Sequence, residues 1–123
     1  MFVRSLLLVL LGLGTSLCAW SGTVEDQEIQ YLISSVQSLQ GAQFLRNGSS
    51  YDAASAGDHL RLKLKNAGSH VRTAEDFIRL CASTSSMSGK PYEIRFKDGH
   101  TETTEIFLKG RLGDYRKGRG AGG

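Results

Sequence analysis

Residues 44–65 read FLRNGSSYDAASAGDHLRLKLK, and the fold can be worked outward from them. Gln43 to Arg46 is short and extended in character, and Asn47-Gly48 after it is a strong turn signal. Ser50 or Asp52 can then cap a helix. Ala53, Ala56, Leu60 and Leu64 recur along it at helical spacing, and Gly68 closes it after about Ala67. The same helix carries Asp58, His59, Arg61, Lys63 and Lys65 past that apolar stripe. Gly57 inside it costs roughly 1 kcal/mol against alanine, so a close approach by another backbone is expected there.

Upstream, Thr23-Val24-Glu25-Asp26 has the form of a capping box. Ile29, Leu32, Ile33, Val36 and Leu39 continue it as the buried face of a first helix, which Gly41 ends. Downstream, Thr73-Ala74-Glu75-Asp76 repeats the capping pattern and opens a third helix with Phe77, Ile78 and Cys81 turned inward. Ser83, Ser85, Ser86 and Ser88 compete for its backbone and dissolve it. Tyr92 to Phe96 alternates with period two and predicts a strand. Asp98-Gly99 predicts a tight hairpin turn that sets Arg95 opposite Glu102. Thr104 then caps a last helix with Phe107, Leu108, Arg111, Leu112 and Tyr115 on one side. Arg116 to Gly123 is basic and glycine-rich, which predicts a disordered tail.

The chain has 123 residues, 40% apolar and 22% charged, with a net charge of +3. That is an ordinary globular balance, with room for one domain, expected over residues 22–115. Arg4 followed by the apolar run Leu6 to Leu13 and by Ala19-Trp20-Ser21 predicts a signal peptide over 1–21. Cleavage after Ser21 is the first choice, with cleavage after Cys18 or Ala19 next. The apolar run is too short to span a bilayer, so no transmembrane segment is expected after cleavage. Leu17 before Cys18 argues against a lipoprotein. Removal of Cys18 leaves Cys81 alone, which excludes an internal disulfide and predicts a small buried residue.

Several chemistries can be drawn and set aside. His59, His70 and His100 lack the spacing of a helical zinc motif, and no cofactor is implied. Ser86, Ser88 and Lys90 fail the serine–lysine spacing, since Met87 stands three residues before Lys90. Gly89-Lys90 lacks the earlier glycine of a phosphate loop and follows a helix. The basic tail does not by itself make a nucleic-acid binder, and none is expected as a partner. What remains is Arg46, Asn47, His59, Lys63, Ser85, Ser86, Lys90 and Tyr92. The anchors Phe44-Leu45 should hold Arg46 rigidly, and an arginine so placed binds carbonyls, carboxylates or hydroxyls. These residues make either an internal hydrogen-bond network or a ligand site. The loop from Ser83 to Tyr92 is expected to pack against Arg46 and His59, with the strand from Tyr92 pairing with Gln43 to Arg46.

FLRNG, Tyr51, DHLRLKL, TAEDFI and SSMSGKPY, in that order, resemble the YfeK-like proteins, small exported bacterial proteins of unknown function. The resemblance covers roughly residues 29–95. It implies a periplasmic address in a Gram-negative cell and carries over no activity. The family tends to have an acid where this chain has Ser55, four residues before His59. The expectation is therefore an α+β domain of about four helices with a small antiparallel hairpin. Its expected role is non-catalytic binding of an envelope protein or a small anionic ligand. The alternative is a small hydrolase using His59 with Ser86 or Ser88.

Overall fold

The computed structural model describes residues 23–122. The leader expected over 1–21, with its cleavage site and Cys18, lies outside the described residues. Helix α1 spans Val24–Gln37. Thr23 Oγ1 accepts the Asp26 N–H at 3.1 Å, and the Asp26 carboxylate accepts the Thr23 N–H at 3.4 Å, so both halves of the capping box form. The helix stops at Ser38 rather than at Gly41. Gly41, at φ +71, instead turns the chain into the sheet.

Strand β1 is Gln43–Arg46. Asn47 and Gly48 have φ of 53 and 81, the left-handed pair that a primed two-residue turn requires. They return the chain into β2, Ser49–Tyr51, with Phe44 opposite Tyr51 and Arg46 opposite Ser49. This second strand was not expected. Because Ser50 lies inside it, Asp52 is the residue that caps α2, Ala53–Ala67, accepting the Ser55 N–H at 2.8 Å. Gly57 is buried where α1 crosses α2. A Cβ there would stand 3.2 Å from the Cβ of Gln37, so the close neighbour is a side chain, not a backbone.

A 3-10 turn, Gly68–His70, leads to α3, Ala74–Phe77, capped by Thr73. This helix widens into a π turn over Ile78–Ala82. The Ser83 hydroxyl ends it by donating to the Ile78 carbonyl at 2.7 Å. Strand β3, Glu93–Arg95, pairs with β1 as expected, Phe44 opposite Ile94, and with β4, Thr101–Thr103, on its other side. The sheet is four-stranded and antiparallel in the order β2-β1-β3-β4, larger than the single hairpin expected.

The β3–β4 register also differs from expectation. Glu102 faces Ile94, and Arg95 faces Thr101. A primed two-residue turn at Asp98-Gly99 needs φ above zero at Asp98, and of the two residues only Gly99 has it, at +95. The loop takes Lys97 as well, closed by Gly99 N–H to Phe96 O at 2.9 Å. That one added residue separates Arg95 from Glu102.

Helix α4 spans Thr104–Gly122. Its cap is Thr103, whose Oγ1 accepts the Ile106 N–H at 3.3 Å. Thr104 is instead buried, with its N–H on the Tyr92 carbonyl. The stretch from Arg116 is helical and not a disordered tail, because its arginines find buried carboxylate. Arg116 Nε and Nη2 donate to the two oxygens of Glu28 at 2.8 and 3.0 Å. Arg116 also forks onto Glu75, and Arg119 reaches Glu28 at 2.9 Å.

The fold is thus a mainly helical α+β domain. The inner face of the sheet, Phe44 and Ile94, closes a core made by Leu32, Ile33 and Val36 of α1, Phe77 and Cys81 of α3 and its π turn, and Leu108 of α4. Cys81 is fully buried, and burial pushes its thiol pKa up. Among the described residues no helix is long and apolar enough to cross a membrane.

Candidate functional site

Pleating puts alternate residues of a strand on one face. With Phe44 turned into the core, Arg46 follows it on the same side, and Tyr51 joins them across the β1–β2 pair. Tyr92, two residues before the buried Ile94, comes in from just ahead of β3 and is itself buried. His59 projects toward these residues from α2, one turn beyond Ser55. Between β1 and α2 lies a cavity of about 230 Å³, lined by Val36, Phe44, Ala56 and Leu60 and by the polar Arg46, Tyr51, Ser55, His59, Tyr92 and Glu93, among others. Val36, Phe44, Leu60 and Tyr92 are buried and form its floor, while Ser55 and Glu93 are exposed at its mouth.

Arg46 orders the polar end. Its Nη1 lies 2.7 Å from His59 Nδ1 and 3.0 Å from Nε2, and its Nη2 donates to the Tyr51 hydroxyl at 3.0 Å. A guanidinium can only donate, so the ring nitrogen that faces it must be bare. Nδ1, the nearer, accepts. Nε2 then carries the proton and donates to the Tyr92 hydroxyl at 3.3 Å. Burial, then the positive charges of Arg46 and Lys63, hold the His59 pKa below its ordinary value. The guanidinium also lies over the Tyr51 ring, 4.7 Å from its centre, and its hydrogen bond to the hydroxyl lowers the Tyr51 pKa. Asp58, the sequence neighbour of His59, points elsewhere and pairs with Arg61 at 3.5 Å.

Lys63, one turn further along α2, clamps the serine loop. Its ammonium donates to the Tyr92 hydroxyl at 3.1 Å, to Ser86 Oγ at 3.1 Å and more weakly to the Thr84 carbonyl at 3.5 Å. Ser88 Oγ donates to the Asn47 side-chain carbonyl. The loop therefore packs against the Arg46–His59 region, as its composition suggested. Arg46, His59, Lys63, Tyr92 and Ser86 form one network, and Asn47 joins the loop beside it.

Ser85 and Lys90 do not join. Ser85 is buried and holds the loop itself, its Oγ accepting the N–H groups of Met87 and Ser88 and its own N–H donating to the Lys90 carbonyl. The Lys90 side chain is exposed and makes no hydrogen bond among the described residues. Tyr51 and Ser55 were missed as site residues. The register that follows from an Asn-Gly turn places Tyr51 beside Phe44, and helical spacing places Ser55 beside His59, so both could have been found.

Two consequences follow for the chemistry. Among the described residues the hydrogen-bond partners of His59 are Arg46 and Tyr92. Ser86 is bound to Lys63 and Ser88 to Asn47, so no histidine stands ready to take a proton from either serine. And no carboxylate lies within ion-pair distance of Arg46 or Lys63 among the described residues, whose ion pairs all lie elsewhere. Among the described residues Arg46 Nε also makes no hydrogen bond, and it is not buried. No group of three His, Cys, Asp or Glu side chains among the described residues is placed to hold a metal ion.

Residues 23–116 match the family model described as a family of unknown function, DUF5329. The chain belongs to that family. It is 34% identical over 92 residues to the uncharacterized protein YfeK of Salmonella typhimurium strain LT2, covering 73% of this chain and 77% of that protein. No solved structure matches.

Proposed function

We propose that this member of the DUF5329 family is a non-catalytic binding module, exported to the periplasm, whose cavity between β1 and α2 takes a small anionic ligand. One observation carries the reading. Arg46 stands at an apolar cavity with part of its guanidinium unused and, among the described residues, no carboxylate to neutralise it. A half-buried cation without a counterion is costly in a fold, and an incoming anion repays that cost. Lys63 adds a second positive charge behind Tyr92. The neutral His59 and the two phenols supply directional contacts without adding charge.

Export rests on the leader expected at residues 1–21. N-terminal sequencing of the mature protein should begin near Gly22, and material starting at Met1 contradicts it. Binding is tested by thermal melts of the mature chain against a panel of small anions. A ligand specific for the folded state raises the midpoint in proportion to the logarithm of its concentration. An anion that does so in the wild type and fails to in Arg46→Gln supports the reading. Equal shifts in both proteins overturn it.

A further inference from the structure

We propose that the ligand is a small monocarboxylate with a compact apolar tail, bound tail-inward against α2 with its carboxylate on Arg46. The proposal rests on the anion-binding reading above and names its ligand class. Charge sets the first limit. Arg46 and the exposed Glu93 line the cavity, and Lys63 adds a second cation through its hydrogen bond to the lining Tyr92. His59 is held neutral between Arg46 and Tyr92. One positive charge is left over, which a monoanion balances and a dianion oversteps.

Shape sets the second limit. The guanidinium is a planar fork that matches a carboxylate through two parallel bonds. Nη1 and Nη2 each hold one protein partner, which fixes the plane of the fork, while Nε is unused. The wall sets the third. Val36, Phe44, Ala56 and Leu60 present only carbon to the interior. A bare inorganic ion leaves that wall against water, whereas an apolar tail buries it at about 25 cal/mol per Å². The volume, about 230 Å³, lies below the 300–1,000 Å³ of ordinary ligand pockets. That favours a compact free acid over a peptide or the acyl chain of a membrane lipid.

The test is calorimetric titration of the mature chain with benzoate, hexanoate, hexan-1-ol and inorganic phosphate. Benzoate or hexanoate should bind at least about tenfold more tightly than either the alcohol or phosphate. Arg46→Gln should weaken that binding by about tenfold or more, with Arg46→Lys between it and the wild type. Ala56→Leu fills the wall, keeps every polar group, and should weaken binding as much. Circular dichroism establishes that each variant is folded, and Arg46→Lys with Ala56→Leu carries the test if Arg46→Gln is not. Phosphate binding as tightly as both acids overturns the proposal while leaving the anion-binding reading in place. Hexan-1-ol binding as tightly as the acids overturns both. Binding by none of the four also overturns both.

Discussion

Two clusters of basic side chains, one at the end of α4 and one at the cavity, are solved differently. At the end of α4, Arg116 and Arg119 meet Glu28, whose side chain is 1% exposed, and Arg116 also meets Glu75. Every charge there has an opposite partner. The Arg116 fork holds the Glu28 carboxyl below its ordinary pKa against the opposing effect of burial. At the cavity, Arg46 and Lys63 meet a neutral imidazole, phenols, a serine and a backbone carbonyl. The first cluster ties α1, α3 and α4 together and is complete within the protein. The second is complete in its geometry and incomplete in its charge. A compensated cluster contributes to stability, and an uncompensated one is a place for something else to bind.

The largest difference should appear on truncation. Arg116→Ala leaves Glu28 buried with Arg119 alone, and should cost about 3 kcal/mol in urea denaturation. A cost below about 0.5 kcal/mol, the level of a surface substitution, removes the distinction between the clusters. Arg46→Ala gives up hydrogen bonds to His59 and Tyr51 but also removes an unpaired charge, so it should cost no more than about 1 kcal/mol. A loss as large as that of Arg116→Ala makes the cavity cluster a structural network and removes the argument for a ligand.

Acid should separate the two regions again. The His59 pKa is lowered in the fold, so the unfolded chain takes up that proton first. Stability contributed by neutral His59 is present above its unfolded pKa of about 6.5 and is lost as pH falls through the lower folded value. Glu28 and Glu75 are lowered from 4.5, so their contribution is present above that unfolded value and is lost as pH falls from there through their lower folded values. Denaturation midpoints across pH should therefore fall in two stages. His59→Gln should abolish the upper stage and leave the lower one. Persistence of both stages in that variant shows that His59 is not the group responsible. Smallest of these effects, Cys81 should react with a thiol reagent far more slowly in the native protein than in denaturant, since its thiol is buried and its pKa raised. Equal rates contradict its burial.

Local chemistry made much of this readable from sequence. The capping box at Thr23, the Thr73 cap, the apolar faces of the helices and the Asn47-Gly48 turn are determined within a few residues, and they formed as expected, except that the Asp76 carboxylate accepts the Arg72 N–H and not that of Thr73. The contribution of β2 was hidden, because Ser49-Ser50-Tyr51 is too short and polar to read as a strand until β1 offers it a ladder. Asp98 misled the register because its side chain accepts the His100 N–H at 3.0 Å, which steadies a longer loop. The α4 extension depended on Glu28, 80-odd positions earlier in the chain. Its signal was present: Glu28 stands four residues before Leu32, on the apolar stripe of α1, where a carboxylate needs a cation. At the cavity, Arg46, His59 and Tyr92 were legible as convergent polar residues. The absence of a counterion was not, because that requires knowing where every carboxylate goes.

Whether the cavity carries an unneutralised positive charge can be read by supplying the missing carboxylate. Ser55→Glu places one at the mouth of the cavity, one turn from His59. Because it also completes a capping box with Asp52, the measurement must be a double-mutant cycle with Arg46→Ala, read by urea denaturation. The two residues should couple favourably by about 0.5–1 kcal/mol at neutral pH, and Ser55→Glu should no longer gain stability from added ligand. Strict additivity of the two substitutions would show that Arg46 has no unmet charge for a ligand to answer.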